Sequence, residues 1–314
     1  MRKDKVKVGV IGVGYLGKIH AEKYAHMPEV ELIGVVDIDK GRCQEVAAHT
    51  NCQPFYHHRD LLSRVDAVSI AVPTISHYPI TKDVFLAGVD VLLEKPITAT
   101  VQEAQELNAL AMERGVIFQI GHLERFNGAL AAMNGALKNP LFIEAYRLSP
   151  FSGRGTDVDV ILDLMIHDID IILSILGSDI EEVEAVGMPF RSSHIDVAHA
   201  RILFKGGCVA HISASRIAQE KLRKMVILQK DSYLAVDYIK QSLMITRRGE
   251  EGGEGAQVDE VVREHDPLET QLHAFVQSVR ERTPPIVSGE DGQQALKVAL
   301  QIVDVIDKAM KGRR

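Results

Sequence analysis

Along the first third of the chain, short runs rich in Val, Ile and Leu alternate with stretches in which apolar residues recur every three or four positions. An uninterrupted apolar run suits a parallel strand buried on both faces, and the longer spacing suits a helix that covers it. The pattern predicts strands over residues 5–11, 31–37, 67–72, 89–93 and 117–121, and helices over 17–26, 40–50, 77–87 and 100–114. Such repeated strand–helix punctuation defines an α/β, doubly wound (Rossmann) domain with a parallel sheet, here residues 1–122.

From about residue 139 the texture changes. Strands predicted over 141–149, 180–188, 197–204, 208–216, 224–229, 233–238 and 243–247 follow one another with short connections. Strands without intervening helices form antiparallel pairs, so the second domain, residues 123–288, is expected to be α+β with a large, mostly antiparallel open sheet. One strongly apolar helix, 160–176, precedes most of it, and the Gly- and Glu-rich stretch 249–255 reads as a hairpin loop. Two late amphipathic helices, 267–282 and 292–311, are separated by Thr283-Pro284-Pro285. The last of them, within residues 289–314, is expected to pack back on the first domain. An open sheet with apolar residues left on one face is usually covered by a copy of itself, which predicts a homodimer or homotetramer through that sheet.

A length of 314 residues fits two domains, and 46% hydrophobic with 25% charged residues is ordinary for a globular chain. The net charge of −7 and the lack of any basic run give a phosphate backbone nothing to bind, so nucleic acid is not an expected partner. No stretch is long and apolar enough for membrane insertion. Three cysteines, Cys43, Cys52 and Cys208, are odd in number and lack metal-ligand spacing, which favours a reducing, cytoplasmic setting. His57-His58 suggests no metal, because adjacent histidines point apart in an extended chain and no third ligand is evident.

The chemistry begins at Gly12-Val13-Gly14-Tyr15-Leu16-Gly17, directly after the first strand and opening the first helix. In a Gly-x-Gly-x-x-Gly turn, Gly12 permits the tight bend, Gly14 lets the backbone approach a pyrophosphate, and Gly17 lets helix and strand pack closely. Tyr15 and Leu16 lie in this turn, before the helix whose exposed amides would face the phosphates. Asp37 ends the second strand at the distance where a carboxylate bonds the adenosine ribose diol and repels the 2′-phosphate of NADP, so the expected cofactor is NAD. Arg42 raises the opposite reading, but an arginine at a helix start is more often a solvated surface charge.

Two further groups carry polar residues into apolar surroundings. Glu94-Lys95-Pro96 follows the fourth predicted strand, at the carboxyl edge where doubly wound sheets bind ligands. On the apolar helix 160–176, Asp163, His167 and Asp170 fall within about 60° of one another at the α-helical 100° per residue, while Asp168 points elsewhere. Such a stripe either forms a satisfied internal network or lines a cavity.

Taken together these segments resemble the Gfo/Idh/MocA family of NAD(P)-dependent sugar dehydrogenases, over essentially the whole chain. The marks are Gly12 to Gly17, Ala71-Val72-Pro73-Thr74 leading to His77, Glu94-Lys95-Pro96, Gly121-His122-Leu123-Glu124-Arg125-Phe126-Asn127, and Asp163 with His167 and Asp170. The resemblance implies that Pro73, His77 and Glu94 join the cofactor site and that Lys95, Asp163 and His167 surround the reacting carbon. Within the family, residues 121–127 and 162–170 look most like the branch that oxidises the 3-hydroxyl of UDP-N-acetylglucosamine or a related UDP-sugar. Members of that branch supply a 3-keto sugar nucleotide to an aminotransferase. Two departures are Met165, where the family usually has glycine and where a bulkier side chain would narrow the pocket, and Gly128, where the branch often has proline.

Oxidising a secondary alcohol requires removal of its hydroxyl proton as hydride leaves carbon. A neutral imidazole suits that task, which makes His167 the first candidate base, oriented by Asp163 and Asp170. Lys95 would stabilise the developing alkoxide, or act as base itself beside a positively charged nicotinamide. Arg125 and Arg154 are candidates to hold a substrate diphosphate through the arginine fork. The expected function is NAD-dependent oxidation of a UDP-N-acetylhexosamine. The alternatives are a dehydrogenase of a free sugar or inositol and a non-catalytic, dinucleotide-sensing regulator.

Overall fold

The computed structural model describes residues 5–133, 135–152, 158–248, 257–262 and 265–312. The chain divides into two compact units, residues 1–122 with 268–293, and residues 123–267 with 294–314.

In the first unit, β1 (Val6–Ile11), β2 (Val30–Val36), β3 (Gln53–Phe55), β4 (Ala67–Ile70), β5 (Asp90–Leu93) and β6 (Phe118–Ile120) form a parallel sheet in the order β3-β2-β1-β4-β5-β6. The order reverses between β1 and β4, and at that switch point the loops after two neighbouring strands diverge and leave a crevice. Every residue of β4 and β5 is buried, as the unbroken apolar runs require. The connecting helices are α1 (Tyr15–His26), α2 (Lys40–His49), α3 (Arg59–Leu62), α4 (His77–Leu86) and α5 (Val101–Arg114). Local chemistry sets their ends. Asp39 caps α2, and a Thr100–Glu103 capping box starts α5, which stops at Gly115 with φ +63°.

The second unit contains α6 (Gly128–Ala132), β7 (Phe142–Leu148), α7 (Ile166–Leu176), β8 (Ile180–Met188), β9 (Val197–Phe204), β10 (Val209–Ser215), β11 (Leu222–Leu228), β12 (Ser232–Asp237), β13 (Ser242–Arg247) and β14 (Gln257–Val262). Its eight strands run in the order β14-β13-β12-β11-β7-β10-β9-β8, with β7 and β10 the one parallel pair and all other neighbours antiparallel. Alternate residues Ile143, Ala145 and Arg147 of β7 are buried, whereas Phe142, Glu144, Tyr146 and Leu148 are half-exposed on the other face. The predicted hairpin loop 249–255 lies outside the described residues; β13 and β14 on either side of it pair antiparallel.

The two late helices exchange the places expected of them. Leu272, Phe275, Val276 and Val279 of α8 (Pro267–Glu281) enter the core of the first unit beside Val8 and Tyr24. From Gln294 onward α9 (Gly289–Lys311) belongs to the second unit, where Ala295, Val298, Ala299 and Ile302 join Ile143 and Ile169. The assignment of residues 268–288 to the second domain is corrected accordingly, and of the final helix only its start, as far as Gln293, belongs to the first unit. An amphipathic period specifies which face of a helix is buried and says nothing about the surface that buries it.

Candidate functional site

At the switch point of the first unit lies a cleft of about 680 Å³, walled by Gly12 and Gly14 after β1, Asp37 after β2 and Val72-Pro73 after β4. The three glycines have separable reasons. Gly12 sits at φ +84°, and a Cβ there would stand 2.6 Å from the Ala71 carbonyl oxygen. At Gly17 a Cβ would fall 1.8 Å from the Gly12 oxygen, so the chain itself demands glycine. Around Gly14 the nearest protein atom to such a Cβ is Arg42 Nη1 at 4.0 Å, so the free space there faces the cleft. Gly14 also caps α1 without a side chain to accept its first amides, which leaves those N–H groups for an anion. Tyr15 and Leu16 are exposed at the same helix start.

Asp37 is nearly buried, with one oxygen accepting from Val13 N at 3.0 Å and the other from Asp39 N at 2.9 Å. A carboxylate has about four lone-pair sites, so roughly two remain, enough for a ribose diol. These residues fit an adenine dinucleotide. Arg42 departs from the solvated charge expected of it: Nη1 is 3.6 Å from Asp37 and Nη2 is 3.1 Å from Asp39, at the cleft wall. Nor do His57 and His58 point apart. Their rings stack with centroids 4.7 Å apart along the same cleft, and His58 Nε2 meets Asp83 at 2.9 Å.

Behind the cleft wall is a buried polar group. His77 lies with Nδ1 2.8 Å from the Pro96 carbonyl and Nε2 2.9 Å from the Val72 carbonyl, so it ties the loop after β4 to the turn after β5. Burial keeps its pKa below the ordinary histidine value, against the pull of the two carbonyls and Glu94. Glu94 is buried opposite His20 Nε2 at 3.3 Å. Burial works to raise its pKa, but the His20 hydrogen bond and the charges of His20, Lys95 and His77 outweigh it and hold the carboxyl below its usual range. His77 thus ties two turns beside the cleft and Glu94 faces His20, while Lys95 is half-buried two residues beyond β5, at the sheet's carboxyl edge. His20 escaped the sequence reading, although a histidine on the buried Gly17–Ala21–Tyr24 face of α1 was a visible signal.

In the second unit the predicted helix is not uniform. Residues Ile161–Met165 form a π-helical turn that runs directly into α7. A π turn is wider than an α turn, so the 100° reckoning that put Asp163 on the His167–Asp170 stripe does not carry across it. Asp163 and His167 are half-buried, and Asp170 is buried with Oδ1 3.4 Å from Arg125 Nη1. Thus Arg125 and Asp170 are brought together. Met165 is fully buried and packs in the hydrophobic core. Gly128 donates its backbone N–H to Gln241 at 3.3 Å, a bond that proline could not make. Arg154 lies outside the described residues.

Two networks hold this helix. Arg147 Nε and Nη2 donate to the two oxygens of Asp168 at 2.8 and 2.9 Å, while Nη1 donates to Glu124 at 2.8 Å. Burial works against both charges of the Arg147–Asp168 pair. The two carboxylates more than offset it for Arg147, whose pKa rises, whereas Asp168 is left above its ordinary value. At the helix start, Val160 N donates to the Ile195 carbonyl at 2.8 Å and Ile195 N to Asp159 at 2.8 Å. The adjoining loop is gathered by Asp196, whose carboxylate accepts from the backbone of Phe190, Arg191 and Ser192 at 2.6 to 2.8 Å. Arg147 and Asp196 were also missed. The arginine in the otherwise apolar inward row of β7 was the available sign.

The doubly wound unit and its cleft define the class, that of dinucleotide-binding oxidoreductases. Residues 6–122 match the model of an oxidoreductase family with an NAD-binding Rossmann fold, and residues 128–233 match the GFO/IDH/MocA C-terminal domain. The chain belongs to the Gfo/Idh/MocA family of NAD-binding oxidoreductases. It is 38% identical over 302 residues to UDP-N-acetylglucosamine 3-dehydrogenase of Acidithiobacillus ferrooxidans, covering 95% of this chain and 96% of that one. A solved structure of the same-named enzyme from that organism superposes with a TM-score of 0.92 at 37% identity, covering 97% and 98% of the two chains. Myo-inositol 2-dehydrogenase of Thermotoga maritima is 25% identical over 312 residues, 93% of each chain.

Proposed function

We propose that this protein oxidises the 3-hydroxyl of a UDP-N-acetylhexosamine such as UDP-N-acetylglucosamine. The observation that carries the reading is the similarity to the Acidithiobacillus dehydrogenase along nearly the full length of both chains. Bound NAD supplies the hydride acceptor. The cleft of the first unit holds the adenosine end, with Gly14 at the pyrophosphate and Asp37 at the ribose diol.

In this reading His167 takes the hydroxyl proton as the C–H bond gives up hydride, so the alcohol becomes a ketone and one proton passes to the imidazole. Asp163 orients the ring, and Lys95 donates a hydrogen bond to the developing oxyanion. Asp170 works through Arg125, which it holds at 3.4 Å, and Arg125 with Arg154 neutralises the substrate diphosphate. A nucleotide handle adds binding energy remote from the reacting carbon, energy that can orient the sugar ring.

A 3-keto sugar nucleotide is a ready substrate for an aminotransferase, the proposed downstream partner. We also propose assembly into a homodimer or homotetramer through the half-exposed face of the eight-stranded sheet. We also propose a cytoplasmic setting, in keeping with three free cysteines; no helix among the described residues is long and apolar enough to cross a membrane.

The test is NADH formation with UDP-N-acetylglucosamine, free N-acetylglucosamine and inositols, with product mass checked in each case. The UDP-sugar should give by far the highest kcat/KM, and Arg154→Ala should erode that advantage more than it weakens NAD binding. Equal turnover of inositols or free sugars, or failure of UDP to compete with substrate, would replace this reading with the polyol dehydrogenase suggested by the Thermotoga relative.

A further inference from the structure

Leu148, Ser215, Val197 and Met188 stand in one row across β7, β10, β9 and β8, so the loops after β7 and β8 leave the same end of the sheet. Among the described residues the only exposed phenylalanines, Phe151 and Phe190, lie in those two loops. A single exposed ring is ordinary. Here a cation joins the two, because Arg191, the neighbour of Phe190, places its guanidinium 5.5 Å from the centroid of the Phe151 ring. Arg191 is itself exposed, and among the described residues no carboxylate pairs with it.

The backbone that presents Phe190 and Arg191 is fixed. Their N–H groups and that of Ser192 donate to the buried Asp196 carboxylate at 2.6 to 2.8 Å. The same loop is stitched to the start of the helix that carries Asp163 and His167. Val160 N donates to the Ile195 carbonyl at 2.8 Å, and Arg216 Nη2 donates to the carbonyls of Val158 at 2.6 Å and Ile195 at 3.3 Å. His167 lies about two helical turns beyond Val160, roughly 10 Å at a rise of about 1.5 Å per residue. A nucleotide sugar has its parts in the same sequence: the reacting ring, then the phosphates, then the nucleoside.

We propose that Phe190 and Arg191 form the subsite for the nucleoside monophosphate end of the substrate, with the base stacked on the Phe190 ring and its phosphate paired with Arg191. The inference rests on the UDP-sugar reading and adds where the nucleotide handle is held. Phe151 is a positioning residue, since its ring holds the guanidinium that the phosphate meets. An exposed aromatic ring recognises the flat face of a base without hydrogen bonds, and a loop already fixed loses little freedom on binding. An apolar partner covering this patch would desolvate Arg191 with no counter-charge, whereas a phosphate supplies one.

The probes are uridine and UMP, which differ by one phosphate, used as inhibitors of NADH formation from UDP-N-acetylglucosamine by the full chain. Both should compete with the sugar nucleotide, UMP the more tightly. Phe190→Ala should weaken the two alike, by about ten-fold, the weight of one base stacked on one ring, and Phe190→Tyr should restore them. Arg191→Ala should weaken UMP and leave uridine unchanged, and Phe151→Ala should reproduce part of that loss. In each alanine variant kcat/KM for the UDP-sugar should fall with UMP affinity while the Kd for NAD keeps its native value. All three side chains are exposed, so their removal should leave the melting temperature near native. Native inhibition by both probes in Phe190→Ala, or an equal loss for both in Arg191→Ala, overturns the proposal. So does a smaller mass by light scattering for Phe190→Ala with inhibition unchanged, which makes the patch a contact between copies. If UDP itself fails to compete in the native protein, the UDP-sugar reading falls and this subsite with it, a result distinct from the others.

Discussion

Arg147 grips both oxygens of Asp168, the residue that directly follows His167 in the chain. The pair fixes the rotation of α7 about its own axis, because consecutive helical residues are offset by a set angle. With Asp168 pinned toward β7, His167 must leave the helix in a different direction and Asp170 in another, where it meets Arg125. A buried ion pair adds little net stability and is better understood as a register device. Here it sets the register of the helix that carries the candidate base.

Removing one partner leaves the other charged and buried, so Arg147→Met should destabilise the protein by about 3–5 kcal/mol. Adding Asp168→Leu should recover much of the loss, since Glu124 keeps Arg223 and Asn127 as partners. Urea unfolding at neutral pH measures both. If the double variant recovers stability without recovering turnover, the pair serves the site more than the fold.

The Asp196 carboxylate gathers three backbone amides and the Ser192 hydroxyl. Burial works to raise its pKa, but these hydrogen bonds overcome it and leave the group far below the ordinary carboxylate range. A depressed folded-state pKa means stability that is fully present above the unfolded value, about 3.9, and is lost as pH falls toward the folded value. Asp196→Asn should therefore cost about 2–3 kcal/mol at pH 7, with the gap to the native protein narrowing below pH 4. Unfolding curves at pH 7 and pH 3 check this; a gap of constant size would show that the ionised form has no special role.

The first unit was legible because buried parallel strands write themselves as apolar runs and the fingerprint glycines mark the switch point. β3 and α3, at three and four residues, span too few periods of the strand or helix pattern to repeat it, and left no trace. The π turn at Ile161–Met165 could not be read, since it keeps an apolar helical composition while changing the angle between side chains. His77 and Glu94 were legible as chemically notable, but their partners, the Val72 and Pro96 carbonyls and His20, come from tertiary packing that no sequence spacing announces. Alternation in β7 announced a two-faced sheet, and Arg147 stood in its inward row among apolar residues without revealing its partners.

The assembly proposal concerns the outward row of the sheet, where Val226 of β11 stands directly opposite Glu144 of β7. Val226→Lys places a cation against that carboxylate, a pairing worth roughly 0.2–1 kcal/mol in a single chain, so the fold should not suffer. The same charge would have to be desolvated if a second copy covered the sheet. Light scattering at micromolar concentration should give a dimer or tetramer for the native protein and a smaller species for Val226→Lys, with an unchanged melting temperature. A native protein of monomeric mass would remove the proposal.

The roles assigned to Lys95 and His167 separate from cofactor binding, because neither residue lines the adenosine cleft. A positioned general base contributes about 10²–10⁴-fold to a rate, and an oxyanion donor is of similar weight. His167→Ala and Lys95→Ala should each lower kcat within that range while the Kd for NAD stays within a few-fold of native. Proton removal can be taken over by a small base that fits the space left behind, whereas an oriented donor to the oxyanion is hard to replace from solution. Added imidazole should therefore restore part of the turnover of His167→Ala and none of that of Lys95→Ala. Rescue of Lys95→Ala by small amines, with His167→Ala indifferent to imidazole, would exchange the two assignments. Near-native turnover in both variants would take both residues out of the mechanism.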